Sequence, residues 1–491
     1  MAENTVATPY TPLPSNDPSA TRLVKLLPAG FNDPIRCELE TVSLESEPPY
    51  IALSYVWGDA TDTVPISLNG IEHGVTRNLD SFLRHFQALL TEVLLVLQCL
   101  PVNYWPSGIQ IVEALNSLET RQQNSQDLAQ TAQEAVLSYF ASVDDHASID
   151  KVRTERSRPV QITQWNESSL PRFWIDALCI NQNELVERNK QVKRMDHIYR
   201  QTYLLLVWGS HHQQTRASEE DSGAFFRYIE LLCKLLEHRG LATLPITSES
   251  VIIDAVREVY NIKQVRISRS LTAAATRLFG LEWFCRAWVF QEVALSASKP
   301  SEFWTGFKHI SLSNLLITGV GALMVSGELD PENSIITHVF ILKATRTLKA
   351  LRLDKFLTTL GQTSLHSVHP TSNLHICRRL IYLLSDGIQY SNMTDPRDAI
   401  YSLYGLLSTR HLPAIIEPDY TKSVSVVYHS VAGFLISHMG IDILGFLLSS
   451  SNGMDGCPSW VPDFSCLQRY NTLRRRYPSG GITYKYRYAF D

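Results

Sequence analysis

The sequence predicts an α/β domain on a mostly parallel sheet, followed by a helix-rich region, and three observations carry that reading. Residues 173–208 read strand, helix, strand within about 40 residues, the length of a βαβ unit, which makes the two strands parallel. The runs Pro171–Ile180 and Tyr203–Trp208 are continuously apolar rather than alternating, as strands covered on both faces are. Beyond residue 308 the apolar spacing is mostly helical.

Taken in order, residues 1–19 lack a basic start and an apolar stretch and read as a flexible tail. TRLVKLLPAG, PIRCELETVSL and YIALSYVWGD then give three short strands, broken by Pro, Gly and acidic residues. A helical pattern covers Leu79–Leu94. The polar span that follows, about 91–170, reads as an insertion, partly disordered, with Gln126–Phe140 its best helix. Asn181 with Glu184 three residues on forms a capping-box pattern for a helix whose apolar face is Leu185, Val192, Met195 and Tyr199. A second interruption runs about 211–267. A helix over Arg269–Phe279 is stopped by Gly280 and restarts over Leu281–Leu295, and SEFWTG is a short strand. Asp395-Pro396 supplies a cap and first-turn proline for a helix through Leu407, and Thr421 opens another with Val424, Val427 and Val431 on one face. The expected domains are thus 20–305 and a helical 308–491.

Composition narrows the function classes. The chain of 491 residues carries 44 Lys and Arg against 49 Asp and Glu, a net charge of −5, with 44% hydrophobic residues. That suffices for a core and declares no phosphate-neutralising surface, so nucleic acid is not an expected partner. The longest apolar stretch, Leu315–Val325, falls well short of the roughly 18–20 residues of a membrane span, and a cytoplasmic protein is expected. Eight dispersed cysteines without a CxxC pair fit a reducing compartment. Neither a zinc pattern nor GxGxxG, GxxxxGK[ST] or GxSxG occurs, so no metal and no motif-bound cofactor is expected.

Three blocks mix polar residues with aromatics. Ser54, Tyr55, Trp57, Gly58 and Asp59 mark a strand end running into a glycine turn, where open parallel sheets bind ligands. Asp176, Cys179, Asn181 and Gln182 mark a second strand end, with Glu187 and Arg188 in the helix after it. Arg286, Trp288, Gln291 and Glu292 form the third, Trp288 and Glu292 lying four apart on one helix face. Each has a plain alternative: Asp176 and Asn181 as caps, Glu187 and Arg188 as an ion pair, Cys179 and Cys285 as inert buried thiols, Glu292 as a paired structural carboxylate. Burial of Glu292 beside large apolar groups would instead raise its pKa toward the general-acid range.

YIALSYVWGD, FWIDALCINQ with ER and QVKRMDHIY after it, and WFCRAWVFQE closely resemble, in this order, the three blocks of the fungal HET, or heterokaryon incompatibility, domain. TRLVKLLPAG, TDPRDAIYSLYGLL, PDY and PSWVPDFS are similar to the flanks of many such proteins. Against that pattern, 91–170 is longer than expected and the end at Asp491 suggests a shortened C-terminal region. The resemblance implies a role in nonself recognition: an effector that triggers cell death when incompatible hyphae fuse, through a protein partner or self-association. A second, shorter similarity joins LSYVWGD and RAWVFQE to the first strand and the WxxxE helix of TIR domains. It implies a TIR/flavodoxin-like sheet and the alternative that the chain cleaves NAD, with Glu292 stabilising the ribose cation, Trp288 walling the pocket, and Ser54, Asp59 or Arg286 contacting ribose or diphosphate. That alternative expects Glu292 to open toward the Ser54–Asp59 turn and the Asp176–Asn181 loop. A third reading is an inactive, structural member of the family.

Overall fold

The computed structural model describes residues 8–98, 100, 106–116, 128–154, 170–209, 216–238, 249–263, 267–329, 343–351, 353, 373–388, 391–407, 413–441, 443 and 456–466. They form two compact units interleaved along the chain: residues 1–182, 201–278 and 299–334 in the first, 183–200, 279–298 and 335–491 in the second.

The first unit holds a nine-stranded sheet of order β5-β4-β2-β1-β6-β3-β7-β8-β9. The strands are β1 Ala20–Leu26, β2 Arg36–Ser43, β3 Ile51–Tyr55, β4 Thr63–Leu68, β5 Ile71–Thr76, β6 Arg172–Trp174, β7 Leu204–Trp208, β8 Ser301–Thr305 and β9 Lys308–Ser311. Its centre, β6-β3-β7-β8, is parallel. The expected strands at 173 and 203 are indeed parallel, but β3 lies between them and pairs with both. β3 and β7 are buried at every position, which explains why IALSY and LLLVW carry no alternation. β1 lies antiparallel to both β2 and β6.

The hairpin of β4 and β5 was not anticipated, although its signal is explicit: Asn69-Gly70 connects Leu68 to Ile71 with both residues at positive φ, 53° and 77°. That is the two-residue turn Asn-Gly favours, because its twist matches that of the strands.

Helix α1, Arg77–Leu97, lays Phe82 and Phe86 on the sheet, where they meet Phe173, Trp208 and Trp304 at centroid distances of 5.1–5.8 Å. The span expected as an insertion contributes no strand among the described residues. It folds as α2 Gly108–Asn116, α3 Leu128–Ser142 and α4 His146–Thr154, with α3 packed on α1 and α2. Ile111, Leu115, Ala132, Val136 and Phe140 are buried there, so this span is a helical layer with its own core; residues 117–127 and 155–169 of it lie outside the described residues. The second interruption likewise contains α8 Arg216–Glu237 and α9 Glu249–Lys263, preceding the expected helix α10, Arg269–Phe279.

From Thr8 onward the expected flexible tail is docked. The guanidinium of Arg22, buried in β1, donates to the carbonyl of Thr11 (2.6 Å) and faces the ring of Tyr10 (5.2 Å), and Asn69 donates to the carbonyl of Pro9. A buried cation in a strand needs such partners, and the arm supplies them.

The second unit is helical. Its elements include α6 Leu185–Lys193, α7 Met195–Gln201, α11 Ala287–Leu295, residues 343–351, Asn373–Leu383, two single turns at Asp398–Tyr401 and Tyr404–Leu407, and Val424–Met439. Several boundaries differ from the sequence reading. Glu184 itself, not Asn181, caps α6, its carboxylate accepting from Val186 N, and Leu185 is exposed rather than on the buried face. The chain after Gly280 makes a 3-10 turn over Glu282–Cys285 before α11 starts at Ala287. Ser423, not Thr421, caps the helix at Val424. Asp395 does accept from Arg397 N, as a cap does, but the helix it opens breaks at 402–403.

Candidate functional site

In the first unit two of the three blocks meet. β3 and β6 are parallel neighbours, so the loops after Tyr55 and Trp174 leave the sheet at the same edge, the carboxyl edge where such sheets bind ligands. Trp57 donates its indole N–H to Asp176 Oδ2 at 2.8 Å, and Gln182 Nε2 donates to the carbonyl of Asp176 at 2.9 Å. Asp176 begins the single turn α5, Asp176–Cys179, and its other carboxylate oxygen accepts from Ala177 N. Gly58 lies at φ +80°, where a Cβ would stand 3.2 Å from Asn78 Nδ2, the group that donates to the carbonyl of Val56. The turn therefore requires glycine twice over, for its φ and for this close approach.

Other residues of these blocks are committed locally. Ser54 and Tyr55 are buried within β3, opposite Val207 and Trp208. The exposed Asp59 carboxylate accepts from both the hydroxyl and the amide of Thr61, and these bonds lower its pKa. Cys179 is fully buried; burial pushes its thiol up to about 12, its sulfur accepts from Ile175 N, and its carbonyl accepts from Arg22. Such a thiol is no nucleophile at neutral pH. Asn181 lies half-buried just after α5.

The third block belongs to the second unit. Gln291 is buried and its Oε1 accepts from Gly405 N at 2.9 Å. Glu292 is 2% exposed, and its charge acts on Arg346, a guanidinium buried beneath α11. Arg346 donates to the carbonyls of Gly387, Phe284 (3.2 Å), Arg286 (2.9 Å) and Ala287 (3.2 Å), and its plane lies 5.7 Å from the Phe290 ring centre. Burial lowers its pKa to about 10, with Glu292 among the groups that oppose the fall, so it is cationic at neutral pH. The contribution of Arg286 to this centre is its carbonyl, and its backbone bridges to Asn392. Glu292 is thus a buried carboxylate whose charge acts on a buried guanidinium.

The remaining residues gather around a carboxylate that sequence reasoning missed. Asp398 accepts from Tyr420 Oη at 2.6 Å and from the indole of Trp288. Tyr420 is held between two guanidinium groups, Arg188 at 4.3 Å and Arg397 at 5.1 Å from its ring centre, and its amide donates to Asn189. Arg397 grips Asp395 with two bonds (2.9 and 2.6 Å) and donates to the carbonyls of Tyr420 and Lys422. Glu187 lies half-buried one residue before Arg188, and the latter faces an aromatic ring. Four segments, ER, Trp288, DPRD and PDY, converge here, the first three about a hundred residues apart. TDPRDAIY did carry a hint, an aspartate placed among residues that become buried, but its partners lie 22 and 110 positions away.

Burial raises the Asp398 carboxyl to about 6, against the two hydrogen bonds, which lower it; Asp395 adds to the rise and Arg188 opposes it. A raised carboxylate pKa means the folded state holds this proton when the unfolded chain does not. The burial penalty is therefore fully present above pH 6, up to about 3 kcal/mol, and is relieved as pH falls from 6 toward 4. Asp398→Asn is expected to raise stability by about 1–2 kcal/mol near pH 7.5 and to change it little near pH 4.5, measured by urea unfolding. A loss of stability at both pH values would show that the charge itself holds the cluster.

Among the described residues no His, Cys, Asp and Glu cluster suited to a metal occurs, and no helix is long and apolar enough to cross a membrane.

Comparison with known proteins places these clusters in context. Residues 135–292 match the family model described as Heterokaryon incompatibility protein (HET). Over 93% of its length the chain is 24% identical to "Heterokaryon incompatibility protein 6, OR allele" of Neurospora crassa, and it spans 59% of that protein. No solved structure matches the chain.

Proposed function

We propose that the chain is a fungal HET-domain protein and a nonself-recognition effector that triggers cell death after hyphal fusion, acting in the cytoplasm through a protein partner or a second copy of itself. The observation that supports it is the joint match, a HET model over 135–292 and an incompatibility protein aligned along 93% of the chain. Signalling by contact, rather than catalysis through Glu292, is favoured by one structural fact. The carboxylate sits in the interior of the second unit under the field of Arg346, whereas glycosidic cleavage needs an anion presented to the departing bond.

The test is expression of the full chain from a regulated promoter in a fungal strain, scoring viability after fusion and following NAD. Death confined to particular fusion partners, with NAD unchanged until the membrane fails, is the expected result. Unimpaired growth with every partner would remove the effector reading. NAD loss that precedes death and disappears in a folded Glu292→Gln variant would instead establish the NAD-cleaving alternative.

A further inference from the structure

Arg188 differs from other arginines described in the second unit. Arg397 bonds to carbonyls and a carboxylate, Arg346 to carbonyls, and Arg200 donates to the carbonyl of Gly405. Among the described residues the guanidinium of Arg188 makes no hydrogen bond and no ion pair; it lies against the face of Tyr420 at 4.3 Å and feels the charges of Asp395 and Asp398 at longer range. It is nevertheless held in place. α6 is capped by Glu184, and Asn189, the next residue, accepts from Tyr420 N. A planar fork of five donors, positioned by stacking and half-exposed, matches the oxygens of a tetrahedral anion.

We propose that Arg188, stacked on Tyr420, is the receptor for a phosphate-type oxyanion, either free phosphate or a phosphomonoester. The proposal stands independently of the incompatibility role.

The charges around it set how such a site would behave. Asp395 is neutralised by Arg397, and Asp419 lies 3.6 Å from Lys422. Tyr401 and Tyr420 are neutral near pH 7, burial raising both. Asp398, its carboxyl raised to about 6 by burial, changes charge between mildly acidic and neutral conditions. An anion on Arg188 disfavours the Asp398 carboxylate, and by reciprocity protonation of Asp398 strengthens anion binding.

The probe is sulfate, dianionic at both about pH 5.5 and about pH 7.5, titrated calorimetrically into the full chain against chloride at constant ionic strength. Sulfate should bind the wild type at least about fivefold more tightly at the lower pH. Asp398→Asn should bind with one affinity at both pH values. Arg188→Gln should lose sulfate-specific binding, and Arg188→Lys, which keeps the charge but not the fork, should keep only part of it, with circular dichroism confirming that each variant is folded. Inorganic phosphate and AMP, compared at the lower pH where both are largely monoanionic, distinguish the sources: equal affinity indicates free phosphate, tighter AMP a phosphomonoester. Wild-type affinity in folded Arg188→Gln, no sulfate binding by wild type at the lower pH, or the same pH profile in Asp398→Asn and wild type would overturn the proposal.

Discussion

Replacing Arg346 by methionine is expected to destabilise the protein by about 3–5 kcal/mol, read as a fall in the urea midpoint of the full chain. Methionine fills much of the same volume, so the loss would come from polarity rather than from a cavity. Four carbonyls, of Phe284, Arg286, Ala287 and Gly387, would lose their donor at once, and Glu292 would lose the field of a buried cation. Each orphaned buried carbonyl costs about 1–3 kcal/mol before relaxation, and the charge adds to that. Arg346→Lys should recover only part of the loss, since an ammonium has three donors and no fork with which to span four acceptors. A methionine variant as stable as wild type would mean that water reaches these carbonyls and that the centre of the second unit is wet.

Glu292→Gln should also unfold more easily, by on the order of 3 kcal/mol, because it leaves Arg346 without its compensating charge. The two substitutions should be strongly non-additive: Arg346→Met in the Glu292→Gln background should cost less than it does alone, the signature of a shared interaction. Wild-type protein incubated with NAD should leave it intact. A catalytic glutamate predicts the opposite pattern, with stability nearly unchanged and NAD turnover reduced on the order of 10²-fold by the same substitution. One pair of measurements, unfolding and NAD loss, therefore separates the two roles of this residue.

Legibility followed the range of the interactions. The strands at 51–55 and 204–208, α10 and the parallel arrangement across 173–208 were readable because hydrophobic runs and stop residues act over a few positions. The Asn69-Gly70 hairpin was equally local and went unread, although turn chemistry alone would have supported it. The docked arm at 8–19 was not readable, since the buried guanidinium that organises it looks, in sequence, like one more charge on a strand. The two strand-end loops were singled out in the sequence, and the bond from Trp57 to Asp176 joins them. Glu292 was singled out too, but its surroundings depend on Arg346, for which no motif spoke.

Sequence by itself determined the class of fold, the identity of the central strands, and the blocks that resemble those of the HET domain, because each rests on residues close together in the chain. Tertiary structure alone decided which charges those blocks would meet. Asp398, Tyr420, Trp288 and Arg188 come from four separate segments, and Arg346 reaches carbonyls some 60 residues before it and 41 after. A side chain's ionisation and hydrogen bonding depend on what packs against it, and packing between distant segments leaves no periodic trace in a single sequence.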